Sequence, residues 1–172
     1  LDMVTDDMIK MFIRLIRTSG RVARFVEFLS VLCSNEGKAV RNNQWRVCQM
    51  FILEAPELHV HLHHSPDGEK VMVRADAQYF PTFVGHDELE LGVWLDTTTA
   101  QTGEYFKGCI ELYHVLVAGR NVKNTQPLQD LLPYEVVLAI ICDEKLHARH
   151  LGTCTQFVNV ANSLYVDNEP HV

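Results

Sequence analysis

The chain has 172 residues, 47% hydrophobic and 22% charged, and carries a formal net charge of −7. This length can bury one hydrophobic core, and the composition is ordinary for a folded globular domain. The negative charge argues against nucleic acid or an anionic membrane as the main partner, because both attract basic faces. No apolar run approaches the roughly 18 residues that a membrane-spanning helix needs, so we expect no direct span.

The start of the chain and the cysteines bear on the compartment of the protein. Residues 1–4 lack the basic and apolar regions of a secretory signal, so we expect no such signal here. The chain begins with leucine rather than methionine, so we expect a piece of a longer protein. An odd number of cysteines without a CxxC pair favours free thiols in a reducing compartment. The five cysteines are Cys33, Cys48, Cys109, Cys142 and Cys154.

The first third of the chain predicts three amphipathic helices. Thr5 is the expected N-cap of the first, and Gly20 its end. The second covers residues 22–33, before a polar turn at 34–37, and the third begins near Asn42 or Asn43. The expected apolar stripes are Met8, Phe12, Leu15 and Ile16 in the first helix, positions 22–33 at helical spacing in the second, with Leu29 and Leu32 in mid-stripe, and Val47, Met50 and Phe51 in the third.

The hydrophobic period changes from 3.6 to 2 in the middle of the chain. Apolar and polar residues alternate at 58–62 and 71–75, and the intervening Ser-Pro-Asp-Gly at 65–68 is a strong turn sequence. These features predict a β-hairpin, followed by an exposed acidic loop at 85–90.

Helical periodicity returns near Thr102. A first stripe ends at Gly119, residues 121–126 form an expected polar linker, and Pro133 begins the next helix. A turn at 143–145 precedes the last helix. The expected stripes are Phe106, Cys109, Ile110, Tyr113, Leu116 and Val117, then Val136, Val137, Ile140 and Ile141, and finally Leu151, Cys154, Val158, Ala161 and Tyr165.

The pattern predicts a mainly α fold of armadillo/HEAT-like α-solenoid helix pairs with a β-hairpin insertion. We expect one domain over residues 1–172, or a fragment of one. Its parts are a helical segment at 5–54, a β-hairpin and loop at 56–97, and a second helical segment at 102–166.

Three segments resemble the armadillo-like homology domain shared by inositol 1,4,5-trisphosphate receptors and ryanodine receptors. They are residues 6–33, residues 35–52, and residues 131–172, in the order in which the family has them. The second contains Ala-Val-Arg-Asn-Asn-Gln at 39–44, which is closer to the ryanodine receptor form of a short polar motif. The tail at 165–170 is closer to the inositol trisphosphate receptor branch, so the branch stays open.

The resemblance implies a non-catalytic regulatory module that relays ligand binding to the rest of an intracellular ligand-gated calcium-release channel. Such a module lies on the cytoplasmic face of the endoplasmic reticulum membrane. Its partners are neighbouring domains of the same channel polypeptide and of its tetramer. The alternative is a free-standing helical-repeat adaptor that binds a peptide or a protein.

A row of arginines is the candidate ligand-binding group. Arg14, Arg17, Arg21 and Arg24 recur at i, i+3, i+7 and i+10, and several cations are what a phosphorylated ligand requires. Gly20 interrupts the helix between the two pairs, and a solvated basic face gives the same pattern.

Histidines are the candidate metal ligands. His59, His61 and His63 would share one face of a strand, although an exposed hairpin face gives the same pattern. A second trio, His147, His150 and Cys154, has helical spacing. We expect no cofactor and no metal.

We also expect no catalytic residue and therefore no enzyme. The chain has no GxSxG, HExxH, P-loop or GxGxxG motif. Cys109 and His114 lie roughly 140° apart around one helix, so they do not face each other as a nucleophile and its base would.

Overall fold

A computed structural model describes residues 3–167, which are mainly helical (66% helix) with two small antiparallel sheets. The helices are α1 (Asp6–Ser19), α2 (Ala23–Leu32), α3 (Arg41–Val47), α4 (Leu91–Thr97), α5 (Ala100–Val117), α6 (Val122–Leu131), α7 (Tyr134–Cys142), α8 (Glu144–Arg149) and α9 (Leu151–Ala161). The strands are β1 (Ser34–Asn35), β2 (Lys38–Ala39), β3 (His61–His64), β4 (Val71–Arg74) and β5 (Leu89–Glu90). Within the described range, no helix is both long and apolar enough to cross a bilayer.

Helix α1 begins where the sequence predicts, but it buries a different stripe. The Met8 amide donates to Thr5 Oγ1 at 3.3 Å, which confirms the N-cap. The predicted stripe is wrong. Only Ile16 among its four residues is buried, so the buried face is rotated slightly around the helix axis from the predicted one. Both sets have helical spacing, so periodicity alone could not choose between them. The buried set is Ile9, Ile13 and Ile16.

The polar turn after α2 is a two-stranded hairpin. Glu36 and Gly37 have φ values of 50° and 76°, the left-handed pair that a tight β1–β2 turn requires. Helix α3 begins at Arg41 with Val40 as its N-cap residue, so the expected start near Asn42 or Asn43 is slightly late. A π-helical segment, Cys48–Leu53, continues α3 directly.

The predicted hairpin is confirmed and is larger than expected. Strands β3 and β4 pair antiparallel from His61↔Arg74 to His64↔Val71, and β5 adds a third strand from the expected acidic loop. Helix α4 was not predicted, since seven residues are too few to show a period. It buries Trp94, whose Nε1 donates to Thr82 Oγ1 at 2.9 Å.

Helix α5 lies at the centre of the protein. Its predicted stripe is entirely buried, and residues outside that stripe are buried as well, so the helix contacts apolar neighbours on most of its surface. It packs against α2 and α9, which are distant from it in the chain. An armadillo/HEAT-like solenoid stays a prediction. The buried residues of α5 are Tyr105, Phe106, Gly108, Cys109, Ile110, Leu112, Tyr113, Leu116 and Val117.

The chain after α5 is more helical than predicted. Residues 122–131 form α6 rather than part of a linker, and Pro133 precedes α7 as expected. In α9 the predicted stripe is again rotated, because Leu151 and Val158 are exposed while Phe157 and Val160 are buried. Positions 168–170 of the tail that resembles the receptor family lie outside the described residues.

Candidate functional site

A buried polar junction joins α3 to the end of α5 and the start of α6. Gln44 is fully buried, and its Nε2 donates to the carbonyl oxygens of Val115 at 2.7 Å and Ala118 at 3.0 Å. Its Oε1 accepts from Asn121 Nδ2 at 2.9 Å. The last carbonyl groups of a helix have no partner within the helix, so Gln44 supplies one for α5 from a distant part of the chain.

Two neighbours of Gln44 extend this junction to other helix ends. Asn43 Nδ2 donates to the Leu32 carbonyl at the end of α2, at 2.8 Å. Arg41 Nη2 donates to the Gly119 carbonyl just after α5, at 3.0 Å. The motif at 39–44 therefore holds the ends of two helices together. Sequence reasoning recognised the motif but missed this role, because its partners are remote in the chain.

Gln44→Ala is expected to lower the free energy of unfolding by about 2–3 kcal/mol. The truncation removes three hydrogen bonds, and the Ala118 carbonyl loses a partner while the Val115 carbonyl keeps the Ala118 amide at 3.3 Å. An unsatisfied group inside a protein costs about 1–3 kcal/mol. Urea denaturation measures the loss. The control is Gln49→Ala, whose partly exposed side chain makes one bond of 3.3 Å to Glu54. Equal losses in the two variants would contradict a special role for Gln44.

The structure places the four candidate arginines in different situations. Arg17 Nε pairs with Glu57 Oε1 at 2.8 Å. Arg21 folds back, and its Nη1 donates to the Ile16 carbonyl at 2.6 Å. Burial lowers the pKa of Arg21 from its ordinary value. Arg14 and Arg24 are exposed. Two of the four guanidinium groups thus already have partners within the chain.

We expect the isolated chain not to bind inositol trisphosphate with a dissociation constant of about 1 μM or tighter. The ligand's phosphates require several convergent cations, and Arg17 and Arg21 are engaged elsewhere. Isothermal titration calorimetry is the measurement. Binding of about 1 μM or tighter that Arg14→Ala abolishes would make this row of arginines a ligand site.

The histidine trio is not assembled around a common point. His59 is buried ahead of β3, with Nδ1 at 2.5 Å from the Tyr113 hydroxyl and Nε2 at 2.7 Å from the Phe51 carbonyl. A carbonyl only accepts, so Nε2 carries the proton and Nδ1 accepts from Tyr113. His61 Nε2 lies 3.1 Å from the Pro56 carbonyl, and His63 Nε2 lies 2.7 Å from Glu88 Oε2.

The members of the second trio, His147, His150 and Cys154, also lie in different surroundings. His150 Nε2 contacts Asp96 Oδ1 at 2.7 Å, while Cys154 is buried in the core. Across residues 3–167, no group of three or more His, Cys, Asp or Glu side chains is placed to hold a metal ion.

Three buried thiols are not activated for nucleophilic chemistry. Burial raises the pKa of Cys33, Cys48 and Cys109 to about 12, so these thiols stay protonated near neutral pH. His114 Nδ1 lies 2.7 Å from Ser163 Oγ, in the π-helical segment Asn162–Val166 that follows α9. Cys109 itself is buried in the core, with 2% of its surface exposed.

The sequence did not predict one cluster of basic side chains. Arg41, Arg120 and Lys123 line a single surface cleft together with Trp45. Arg41 and the residues after α5 are about 80 positions apart in the chain. No local spacing rule connects them, so only the folded chain reveals the cluster.

A known domain family matches the N-terminal part of the chain. The family model for the RIH domain of ryanodine and inositol trisphosphate receptors matches residues 1–61. The match includes α1, α2, α3 and the junction residues Arg41, Asn43 and Gln44. It covers the first two resembling segments, whereas residues 131–172 lie outside it. No curated protein matches this chain significantly.

Proposed function

We propose that this chain is a non-catalytic coupling module of an intracellular ligand-gated calcium-release channel. The observation that carries the proposal is the match of residues 1–61 to the RIH domain of the ryanodine and inositol trisphosphate receptor family. In this proposal the helices form an armadillo/HEAT-like unit on the cytoplasmic face of the endoplasmic reticulum. Its partners are adjacent domains of the channel polypeptide and of its tetramer.

The packing supports a relay between the two ends of the chain. The matched segment contacts the central helix through α2, and the Gln44 junction ties it to the end of α5. Helix α5 in turn packs against α9. Close-packed interiors deform little, so a displacement of the first helices is expected to move α5 and α9 with them.

The first test is the transcript that encodes this chain. We expect a reading frame that also encodes membrane-spanning pore helices. A reading frame with no membrane segment would contradict the channel proposal and favour the alternative, a free-standing helical-repeat adaptor.

The second test measures coupling in the full-length channel, expressed in cells without endogenous calcium-release channels. We expect Gln44→Ala to reduce ligand-evoked calcium release from the endoplasmic reticulum while ligand binding to the same membranes is retained. Gln49→Ala is the matched control and should leave release unchanged. Normal release from the Gln44→Ala channel at normal expression would contradict the relay.

A further inference from the structure

A surface cleft between the start of α3 and the start of α6 has an unusual charge. Its seven lining residues include three cations and no acidic side chain, in a chain whose net charge is −7. The lining residues are Arg41, Asn42, Trp45, Arg120, Asn121, Val122 and Lys123. A local concentration of one charge sign attracts the opposite sign.

The backbone holds this cleft in a defined shape. Gly119 and Arg120 have φ values of 71° and 60°, so the connection from α5 to α6 turns sharply through two left-handed residues. A Cβ on Gly119 would lie 3.0 Å from the Ala39 Cβ, which means that this turn closely approaches the β1–β2 hairpin. The Asn121 side chain fixes it further by donating to the Arg41 carbonyl at 3.2 Å. Arg120 is exposed and lies in a turn that packs against the hairpin and is hydrogen-bonded to α3.

The three cations have no acidic partner in the described part of the chain. Ion pairs there use other basic residues, such as Arg17, Lys70 and Arg149. Arg41 contacts a backbone carbonyl, and Lys123 Nζ lies 6.0 Å from the centroid of the Trp45 ring. The positive charges of Arg41, Arg120 and Lys123 are therefore not neutralised by acidic side chains of the described residues and can attract an anionic ligand.

Apolar surface borders the same cations. Trp45 is half-buried with one face beneath Lys123, and Val122 is 75% exposed. Protein interfaces commonly combine an aromatic side chain with arginine at their centre. A compact inorganic anion would use the charges alone, whereas a peptide can contact both the charges and the apolar surface.

We propose that this cleft binds an acidic peptide segment of a partner protein. Carboxylates of the segment pair with Arg41, Arg120 and Lys123, and an apolar side chain packs on Trp45 and Val122. The charge of the cleft selects the partner, because its cations have no acidic neighbour among the lining residues. The inference goes beyond the proposed function and does not rest on it, since it requires only the cleft.

The test is fluorescence anisotropy with a dye-labelled peptide of repeated Glu-Glu-Leu. We expect a dissociation constant on the order of tens of micromolar at low salt, which weakens as salt screens the charges. The double variant Arg120→Glu/Lys123→Glu should bind at least about tenfold more weakly, because two attractions become repulsions. Both residues are exposed, so thermal melting should show an intact fold.

Two controls separate the cleft from the overall charge. Arg14→Glu/Arg24→Glu makes the same change of charge at exposed positions outside the cleft and should bind within about twofold of the native chain. A Gln-Gln-Leu peptide should not bind. Equal weakening in both double variants, or binding of the glutamine peptide, would overturn the proposal. Displacement of the peptide by pyrophosphate at a lower concentration than by unlabelled peptide would also overturn it in favour of a phosphate site.

Discussion

Leu29→Ala is expected to lower the free energy of unfolding by about 2–5 kcal/mol, the range for truncating a buried leucine. Leu29 is fully buried in α2, which packs directly on the central helix α5. The truncation removes apolar contacts and leaves a cavity that close-packed neighbours fill only in part. Denaturant-induced unfolding, followed by circular dichroism, measures the change.

Two variants in the same helix provide controls. The sequence treats Leu29 and Leu32 as equivalent, but Leu32 is only partly buried, so Leu32→Ala should cost less. Val31 is 65% exposed, and Val31→Ala should change stability by no more than about 0.5 kcal/mol. A loss below about 1 kcal/mol for Leu29→Ala would show that this face of α2 is not part of the core.

Protonation of His59 is expected to destabilise the fold by about 3 kcal/mol between neutral and acidic pH. Burial is the main reason that the pKa of His59 falls to about 4, although the hydrogen bond to the Phe51 carbonyl opposes the shift. An unfolded histidine has a pKa of about 6.5, and each pKa unit corresponds to about 1.4 kcal/mol.

The direction follows from proton linkage. As the pH falls below about 6.5, His59 becomes protonated in the unfolded chain but stays neutral in the folded chain. The contribution of neutral His59 to stability is therefore complete above pH 6.5 and is lost as the pH falls towards 4. The folded state cannot accept this proton readily, because Nδ1 already accepts from Tyr113 in a buried environment.

Urea denaturation at a series of pH values from 7 to 4.5 tests this prediction. Carboxylates also titrate near the lower end, so the informative quantity is the difference between the native chain and His59→Gln. We expect the variant to lose part of the pH dependence, whereas His86→Gln, at an exposed histidine, should keep it. If the native chain and His59→Gln lost stability identically as the pH falls, protonation of His59 would not be the cause of the loss.

Local chemistry allowed several elements to be predicted from the sequence. The Thr5 cap depends on contacts within one turn of helix, and the β3–β4 hairpin on alternation around a turn sequence. The stripe of α5 was correct because eighteen residues include several periods of a helix. Such signals need only near neighbours in the chain, so they can be read before the fold is known.

Rotations of helices and short elements required the tertiary structure. In α1 two stripes have equal spacing, and only the positions of α2 and the π-helical segment decide that Ile9 and Ile13 are buried. Helix α4 shows too few residues for a period. Helix α6 is polar in sequence, so the sequence predicted a linker for part of it. In the structure these residues pack against α3 and α5, and this packing stabilises the helix.

The sequence by itself determined the mainly helical class, the hairpin and the motif at 39–44 that resembles the receptor family. Only the tertiary structure decided what the polar residues do. It makes Gln44 a partner for the end of α5, encloses His59 in the core, and gathers Arg41, Arg120 and Lys123 in one cleft. Hydrogen bonds and charge clusters depend on distances of a few ångströms between residues that are remote in the chain, and folding alone sets those distances.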